Sequence, residues 1–346
     1  MTQSYLAWMA AETPSRWCND SALTPTILNA LGQGAAGVTT NAPLSYEALT
    51  CELPDQWLDS TPIDPGLDPD AKVVQRLGQV VRPIARHLEP LHDSSNGAYG
   101  YVRSQVQPAI SADAYKQLEQ GLEIATWGAN VMVKIPGTAS GMWVLEELAA
   151  RGIPTTATVC VSAPQIIAAA DAYERGVARA IEAGIAPAAS TSAFVMGRLQ
   201  DYMATLNQEQ QLGLATEDLA EAALAVARRL VTVMAERPGA PRLMPAAFRA
   251  ARQVTMLSGA PVEMTIHPKI QAMLAEQDNQ AGIVREPGID QRLDQARIER
   301  VAEAIPDFVR AWQPDGLTLD EFDDFGATTM TLAGFDASGW QPLRSL

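Results

Sequence analysis

Val131-Met132-Val133-Lys134-Ile135-Pro136 is a short apolar run that contains one lysine and ends in proline, and a helix-like stretch follows at 142–150. A run of this length, bounded by Pro and Gly, favours a buried strand over a helix. A strand followed directly by a helix is the repeating unit of parallel α/β folds. The stretch therefore predicts one βα unit whose strand carries an unusual cation.

The same βα pattern recurs along the whole chain. Short apolar runs predict eight strands, at 16–20, 37–41, 101–105, 131–135, 155–159, 188–192, 242–246 and 262–266. Apolar residues at helical spacing predict helices between and after them, at 22–31, 46–57, 71–88, 112–125, 142–150, 163–183, 194–206, 217–236, 247–257, 269–275 and 294–312. Eight such units predict an α/β fold with one (β/α)8 TIM barrel over 1–346, additional helices, and a C-terminal extension at 313–346 that packs on the barrel.

Composition excludes several classes of protein. The chain has 25 basic and 40 acidic residues, a net charge of −15, which argues against nucleic acid or an anionic membrane as a partner. It contains no run of about 18 apolar residues, and its first residues lack the basic region of a secretory signal. We therefore expect a cytoplasmic protein.

Cysteine and histidine supply no metal motif. The three cysteines and three histidines are scattered, without paired-Cys or HExxH spacing. We expect no metal ion and no cofactor, and we interpret the histidines as surface residues.

Lys134 is the first candidate for chemistry. A closed barrel has no edge strand, so a lysine within a strand points either to the helices or into the barrel, where it is desolvated. Desolvation lowers a lysine pKa from about 10.4 and increases the neutral amine, which attacks carbonyl groups. Schiff-base catalysis requires such an amine.

Five motifs together resemble the transaldolase family of Schiff-base barrel enzymes. The sequence NVMVKIPGT at 130–138 resembles the family's active-site lysine strand, and GVTTNAPL at 37–44 resembles GVTTNPSL. The other three are TATVCVS at 156–162, which resembles NLTLLFS, TSAFVMGR at 191–198, which resembles ISPFVGR with one extra residue, and AAFR at 246–249, which resembles ASFR.

The resemblance implies a role for each matching position. Lys134 would form the imine, Thr40 and Asn41 would bind the dihydroxyacetone portion of the substrate, and Thr158 would hold the catalytic water. Ser192 and Arg198 would bind the sugar phosphate, with Arg249 as a second phosphate ligand. Phosphorylated sugars are then the expected partners; the oligomeric state stays open, with a homodimer among the alternatives.

Two acid/base positions depart from the family pattern. Aligning Trp17 with the tryptophan of the family's W-L-D segment puts Asn19 at the place of the catalytic aspartate, with Asp20 one residue on. A one-residue slip turns a strand side chain to the other face, so Asp20 would need a bulge or the strand's end to reach the site. Gln105 is the predicted catalytic counterpart of the family's glutamate, which helps to position the catalytic water. Phe194, which the resemblance predicts to bind the substrate, stands where the related fructose-6-phosphate aldolases have a tyrosine.

Three functions follow in order of preference. The first is a transaldolase-like transferase that moves a dihydroxyacetone unit from a ketose phosphate, such as sedoheptulose 7-phosphate or fructose 6-phosphate, to an aldose phosphate. The second is a Schiff-base aldolase or transferase with another substrate in specialised metabolism. The third is a catalytically impaired homologue that binds sugar phosphates, since Asn19 and Gln105 replace two carboxylates.

Overall fold

Eight parallel strands form the wall of the molecule in the computed structural model, which describes residues 3–346. They are β1 (Arg16–Asp20), β2 (Gly37–Thr39), β3 (Tyr101–Gln105), β4 (Val131–Pro136), β5 (Thr155–Cys160), β6 (Ser190–Phe194), β7 (Arg242–Pro245) and β8 (Glu263–Ile266). Neighbours pair in the order β7-β6-β5-β4-β3-β2-β1-β8, and every pair is parallel. The nearly closed sheet with helices around it confirms the predicted (β/α)8 barrel.

Helices surround the strands and extend beyond them. They are α1 (Tyr5–Glu12), α2 (Thr24–Gly32), α3 (Ala42–Thr50), α4 (Pro69–Ser94), α5 (Ala114–Ala125), α6 (Ala139–Ala150), α7 (Ala163–Glu182), α8 (Met196–Glu209), α9 (Thr216–Ala235), α10 (Ala251–Thr255), α11 (Pro268–Ala281), α12 (Gln295–Ala304), α13 (Pro306–Trp312), α14 (Gly326–Phe335) and α15 (Gln341–Arg344). Short 3-10 turns lie at Pro108–Ile110, Gly288–Asp290 and Leu319–Glu321, and a π-helical turn lies at Asp336–Trp340.

Some predicted helix boundaries were wrong, and local chemistry explains them. The single helix expected at 294–312 is two helices, because Pro306 has no backbone N–H and begins a new helix after Ile305. The helix expected at 46–57 begins at Ala42, since the Asn41 side chain caps it by accepting from the Leu44 N–H at 2.9 Å. Helices α1 and α14 were not predicted.

Strand register decides which side chains point into the barrel. Lys134 pairs with Gln105 on β3 and with Thr156 on β5, and Asp20 pairs with Thr39 on β2. Paired residues of parallel strands share a face, and successive residues alternate between faces. The inner face therefore carries these polar residues at the carboxyl ends of the strands.

A buried charged cluster fills the barrel below that level. Arg103 on β3 forms an ion pair with Glu263 on β8, and both side chains are nearly inaccessible to solvent. The Cys18 thiol lies 2.9 Å from a Glu263 oxygen, and Arg242 reaches the other oxygen at 3.1 Å. Because each buried charge has an opposite partner, the polar interior avoids uncompensated desolvation.

The segment 313–346 lies along the carboxyl-end side of the barrel. Its Asp323 accepts from the Ala139 N–H at 2.7 Å, and Trp340 donates its indole N–H to Asp70 at 2.8 Å. The division into one barrel domain and an extension stays a prediction. Across residues 3–346, no helix is both long and apolar enough to cross a membrane.

Candidate active site

A cavity of about 300 Å³ opens at the carboxyl ends of the strands, the end of such barrels that carries chemistry. Its wall combines cations, one carboxylate, hydroxyl groups and apolar side chains. It is lined by Asp20, Thr39, Asn41, Lys134, Thr156, Thr158, Ala193, Val195, Arg198, Met244, Ala246, Ala247, Phe248, Arg249, Thr265, His267, Lys269, Ile270 and Phe335.

Lys134 lies on the wall of this cavity, and its side chain is buried, with 5% of the residue exposed. Its ammonium donates to the backbone carbonyl of Thr40 at 3.0 Å. Burial lowers the pKa of the Lys134 amine to about 8; the Asp20 carboxylate partly opposes this shift and Arg103 adds to it. A sizeable fraction of Lys134 is therefore neutral near physiological pH, as nucleophilic attack requires.

Asp20 lines the same cavity. Strand β1 keeps a regular register with both neighbours, pairing Asp20 with Thr39 and Asn19 with Ile266. The alternation that puts Cys18 inside the barrel therefore also puts Asp20 inside, and no bulge is needed. Burial raises the pKa of the Asp20 carboxyl, while Lys134 and His267 act in the opposite direction.

Asn19 faces the helices instead of the cavity, which corrects its predicted place beside the lysine. Its amide donates to the Ser21 carbonyl at 3.1 Å and to the Thr26 hydroxyl at 3.2 Å, and its oxygen accepts from Gln271 at 2.8 Å. These bonds join β1 to the helices α2 and α11. Asn19 thus has a structural position, and the W-L-D alignment through Trp17 was off by one residue.

Hydroxyl groups line the floor of the cavity between the lysine and the lower charged cluster. The Thr265 hydroxyl donates to that of Thr39 at 2.9 Å, and the hydroxyls of Thr156 and Thr191 share a bond of 2.8 Å. Sequence reasoning missed Thr39, Thr156 and Thr265. Counting alternate residues from inward-facing Lys134 through the paired strands would have found them.

Thr40 and Asn41 lie at the end of β2. Asn41 lines the cavity while its Oδ1 caps α3, so its amide nitrogen stays available for a ligand. Thr40 is fully buried; its hydroxyl donates to the Arg103 carbonyl at 2.7 Å, and its own carbonyl accepts from Lys134. Asn41 is therefore accessible to a substrate, whereas the Thr40 carbonyl holds the Lys134 ammonium in place.

Gln105 and Thr158 line a smaller adjoining cavity. Thr158 and Phe335 are shared with the main cavity. The Gln105 side-chain oxygen is buried and has no hydrogen-bond partner among the described residues. Beside Thr158, the register of β5 shifts and Val159 adopts a φ of 56°, a strained value for a β-branched residue. Such strain concentrates at functional sites.

Arg198 and Arg249 stand together at the rim, after β6 and β7. Arg249 forms a two-point ion pair with Asp201, with one of its bonds at 2.9 Å, whereas an Arg198 nitrogen lies 4.0 Å from the same carboxylate. Burial lowers the pKa of Arg198, and the neighbouring Arg249 cation adds to the shift. Two adjacent guanidinium groups with only one carboxylate between them favour an anionic ligand.

Ser192 and Phe194 do not line the cavity, contrary to prediction. Both are fully buried, and Ser192 pairs with Ala157 on the outer face of the sheet. Counting back from Arg198 instead aligns Ala193 with the serine of ISPFVGR and Val195 with its phenylalanine, and these two residues do line the cavity. The extra residue of this motif therefore lies before position 193.

Three further side chains at the rim were missed by sequence reasoning. His267 and Lys269 follow β8; the His267 Nδ1 accepts from the Lys269 N–H at 3.1 Å, which leaves the proton on Nε2 in the neutral ring. Phe335 comes from the C-terminal helix α14. His267 was interpreted as an ordinary surface residue; it is exposed, yet it lies on the cavity wall.

The fold and this cavity define a class: (β/α)8 barrels with a buried lysine at a strand end and basic groups at the mouth. The family described as transaldolase/fructose-6-phosphate aldolase matches residues 18–315, most of the chain. The chain belongs to that family.

Individual relatives match over shorter stretches. The chain is 29% identical over 199 residues to a transaldolase of Neisseria meningitidis serogroup A, 56% of each chain. It is 29% identical over 224 residues to a transaldolase of Acidothermus cellulolyticus, 62% of this chain and 59% of the relative. For transaldolase 2 of Nostoc sp., the identity is 29% over 174 residues, 48% of this chain and 45% of the relative. The chain thus covers less than two thirds of the length of these relatives.

Proposed function

We propose that the chain is a transaldolase-type transferase that moves a dihydroxyacetone unit between phosphorylated sugars through an imine on Lys134. The observation that carries this proposal is the buried amine with a pKa of about 8 in one cavity with the Asp20 carboxylate, below two arginines at the rim. Family membership and the transaldolase names of the relatives support the same reaction.

The first step uses the neutral Lys134 amine. Its nitrogen attacks the C2 carbonyl of the ketose phosphate; uptake of one proton from solvent and loss of water then leave a protonated imine. Asn41 binds hydroxyls of the dihydroxyacetone portion. The Thr40 carbonyl, 3.0 Å from the amine, holds the nucleophile in place before attack.

Carbon–carbon cleavage then needs a base. Asp20 takes the proton of the C4 hydroxyl, the C3–C4 bond breaks, and its electron pair moves into the imine to give an enamine on Lys134. The aldose phosphate leaves. The same steps in reverse with another aldose phosphate complete the transfer, since the enamine carbon attacks its aldehyde while Asp20 returns the proton.

Formation and hydrolysis of the imine need a positioned water molecule. The small cavity that Gln105 and Thr158 share is the proposed place for it, because the unpaired Gln105 oxygen can accept and the Thr158 hydroxyl can donate. A glutamine cannot exchange protons as a glutamate does. We therefore assign Gln105 and Thr158 to orienting this water and leave proton transfer to Asp20.

The pH dependence of the first step follows from the lowered pKa of Lys134. The neutral fraction of an amine with a pKa of about 8 rises about tenfold per pH unit up to that pH and then levels off. We expect kcat/KM for fructose 6-phosphate to rise with pH and to level off near 8. Rates measured from pH 6 to 10 check this, and a rise that continues to the ordinary lysine pKa would contradict it.

Arg198 and Arg249 are proposed to hold the substrate phosphate. We expect Arg198→Ala or Arg249→Ala to weaken the use of fructose 6-phosphate by roughly 2–3 kcal/mol, about 30- to 150-fold in kcat/KM, the value of one charge-assisted contact. Activity with unphosphorylated dihydroxyacetone should change little.

Arg151→Ala provides the matched control for the two arginines. Arg151 lies just after α6 and pairs with Glu147 within one helical turn. Its replacement should leave both substrates unaffected. Equal losses for phosphorylated and unphosphorylated substrates in Arg198→Ala would assign that arginine a structural role.

A second candidate is the same imine chemistry on a different substrate. The cavity wall at the end of β6 carries Ala193 and Val195, which have no hydroxyl or acid group to share proton transfer with Asp20. Trapping of Lys134 by other ketoses or ketose phosphates, without trapping by fructose 6-phosphate or sedoheptulose 7-phosphate, would favour this candidate.

A further inference from the structure

We propose that Phe335, from the C-terminal segment, is a positioning residue that fixes the Arg198 guanidinium for the substrate phosphate. The inference rests on the proposed function in one respect, the assignment of Arg198 to a phosphate. It adds that residues beyond the eight βα units, at the far end of the chain, complete the site.

The geometry joins the two side chains directly. The Arg198 Cζ lies 5.3 Å from the centre of the Phe335 ring, within the range of a cation–π contact. Phe335 lines both the main cavity and the small cavity of Gln105 and Thr158, and only 8% of it is exposed. The ring therefore forms part of the wall against which the guanidinium rests.

Arg198 has little else to hold it. The Asp201 carboxylate is engaged by Arg249 at two points and is 4.0 Å from Arg198. Within residues 3–346, the Arg198 side chain makes no hydrogen bond, and 30% of it is exposed. An aromatic face restrains a guanidinium without occupying its N–H donors, so all of them stay free for phosphate oxygens.

The chain segment on either side of Phe335 packs against the residues that follow three barrel strands. Thr328, earlier on α14, accepts from Gln165 at 3.1 Å, and Gln165 also donates to the Gly137 carbonyl at 2.7 Å in the loop after Lys134. Beyond the ring, Gly339 packs so closely against Pro43, two residues after Asn41, that a Cβ at position 339 would clash with it. These contacts place Phe335 relative to the first turn of α3 after β2, the loop after β4, and the first turn of α7 after β5.

The same segment contains a matched control. Phe325 makes a similar contact with Arg310, at 5.7 Å from Cζ to the ring centre, but it does not line the cavity. Phe325→Leu therefore removes an aromatic ring and a cation–π contact from the same stretch of chain without touching the proposed site.

The test compares Phe335→Leu, Phe335→Trp, Phe335→Met and Phe325→Leu with the unchanged chain. It uses KM and kcat for fructose 6-phosphate and the dissociation constant of inorganic phosphate by calorimetry. Ordering one free arginine costs about 0.5–1.5 kcal/mol on binding, so we expect Phe335→Leu and Phe335→Met to raise KM and the phosphate dissociation constant about 2- to 13-fold with kcat nearly unchanged. Phe335→Trp should restore both, because it keeps an aromatic face.

Each contrary outcome is distinct. The inference is overturned if Phe335→Leu and Phe325→Leu have equal effects. It is also overturned if Phe335→Trp does not restore KM and the phosphate dissociation constant, or if the unchanged chain does not bind phosphate. Phosphate binding does not require turnover. If the unchanged chain binds phosphate in a Phe335-dependent manner but transfers no dihydroxyacetone unit, the proposed function fails and the role of Phe335 stands.

Discussion

Lys134→Met should abolish the transfer of a dihydroxyacetone unit, lowering kcat by about 10⁴-fold or more, because Lys269, the other lysine on the cavity wall among residues 3–346, lies after β8 at the rim. Rates with fructose 6-phosphate and erythrose 4-phosphate measure the effect. Lys116→Met is the matched control, since Lys116 is exposed on α5, away from the cavity, and forms an ion pair with Asp113. Similar losses in the two variants would contradict the assignment.

Loss of fold does not explain the expected effect of Lys134→Met. The pKa of Lys134 is about 8 in the folded chain and about 10.5 in the unfolded chain, so burying the charged amine costs stability fully below pH 8, a cost that disappears as pH rises through 10.5. At pH 7 the methionine variant should therefore be at least as stable as the unchanged chain. Thermal unfolding at pH 7 checks that point.

Asp20→Asn should lower kcat by about 10²–10⁴-fold, the usual cost of losing a positioned general base, while leaving the imine able to form. Asp20 shares the cavity with Lys134, and its own pKa is raised by burial. Borohydride trapping combined with steady-state rates separates the two steps. Full turnover by Asp20→Asn would contradict its role as the base.

Asn19→Asp tests whether residue 19, instead of Asp20, lies beside the lysine. Asn19 donates to the Ser21 carbonyl, which has no proton to give, and to the Thr26 hydroxyl, whose own proton goes to the Leu23 carbonyl at 2.8 Å, so a carboxylate at position 19 would lose both bonds. We expect a loss of stability of about 1–3 kcal/mol and no gain in turnover. A rise in turnover would restore the alignment that places residue 19 beside the lysine.

The sequence was sufficient to predict the fold and to single out Lys134. The fold depends on a pattern that recurs along the chain, and Lys134 is conspicuous by itself. The repeated alternation of apolar runs and helical stretches predicts a barrel, and Lys134 is the one lysine within an apolar strand. Arg198 and Arg249 follow strands whose ends were predicted within two residues. Their place at the rim follows from that topology.

Motif matching predicted the wrong direction for three strand side chains. At Asn19, Ser192 and Phe194 an error of one residue exchanges the inner and outer faces, although the motif letters remain recognisable. The strand pairing shows the correct faces, because each residue must agree with its partners on two neighbouring strands. That information is spread over the whole barrel and is not contained in a single motif.

Phe335 was missed for a different reason. It lies 137 positions after Arg198, on a helix that was not predicted, and no local pattern links the two. His267 was missed because an isolated histidine at a predicted strand end resembles many surface histidines. Contacts between distant parts of a chain become visible only when the fold is known.

Borohydride reduction in the presence of fructose 6-phosphate, followed by intact-mass measurement and peptide mapping, tests whether Lys134 forms the imine. We expect a mass increase equal to the reduced adduct of a three-carbon or six-carbon fragment, located on the peptide that contains Lys134 and absent from Lys134→Met. Adducts on Lys72, Lys116 or Lys269, or labelling that persists in Lys134→Met, would contradict it.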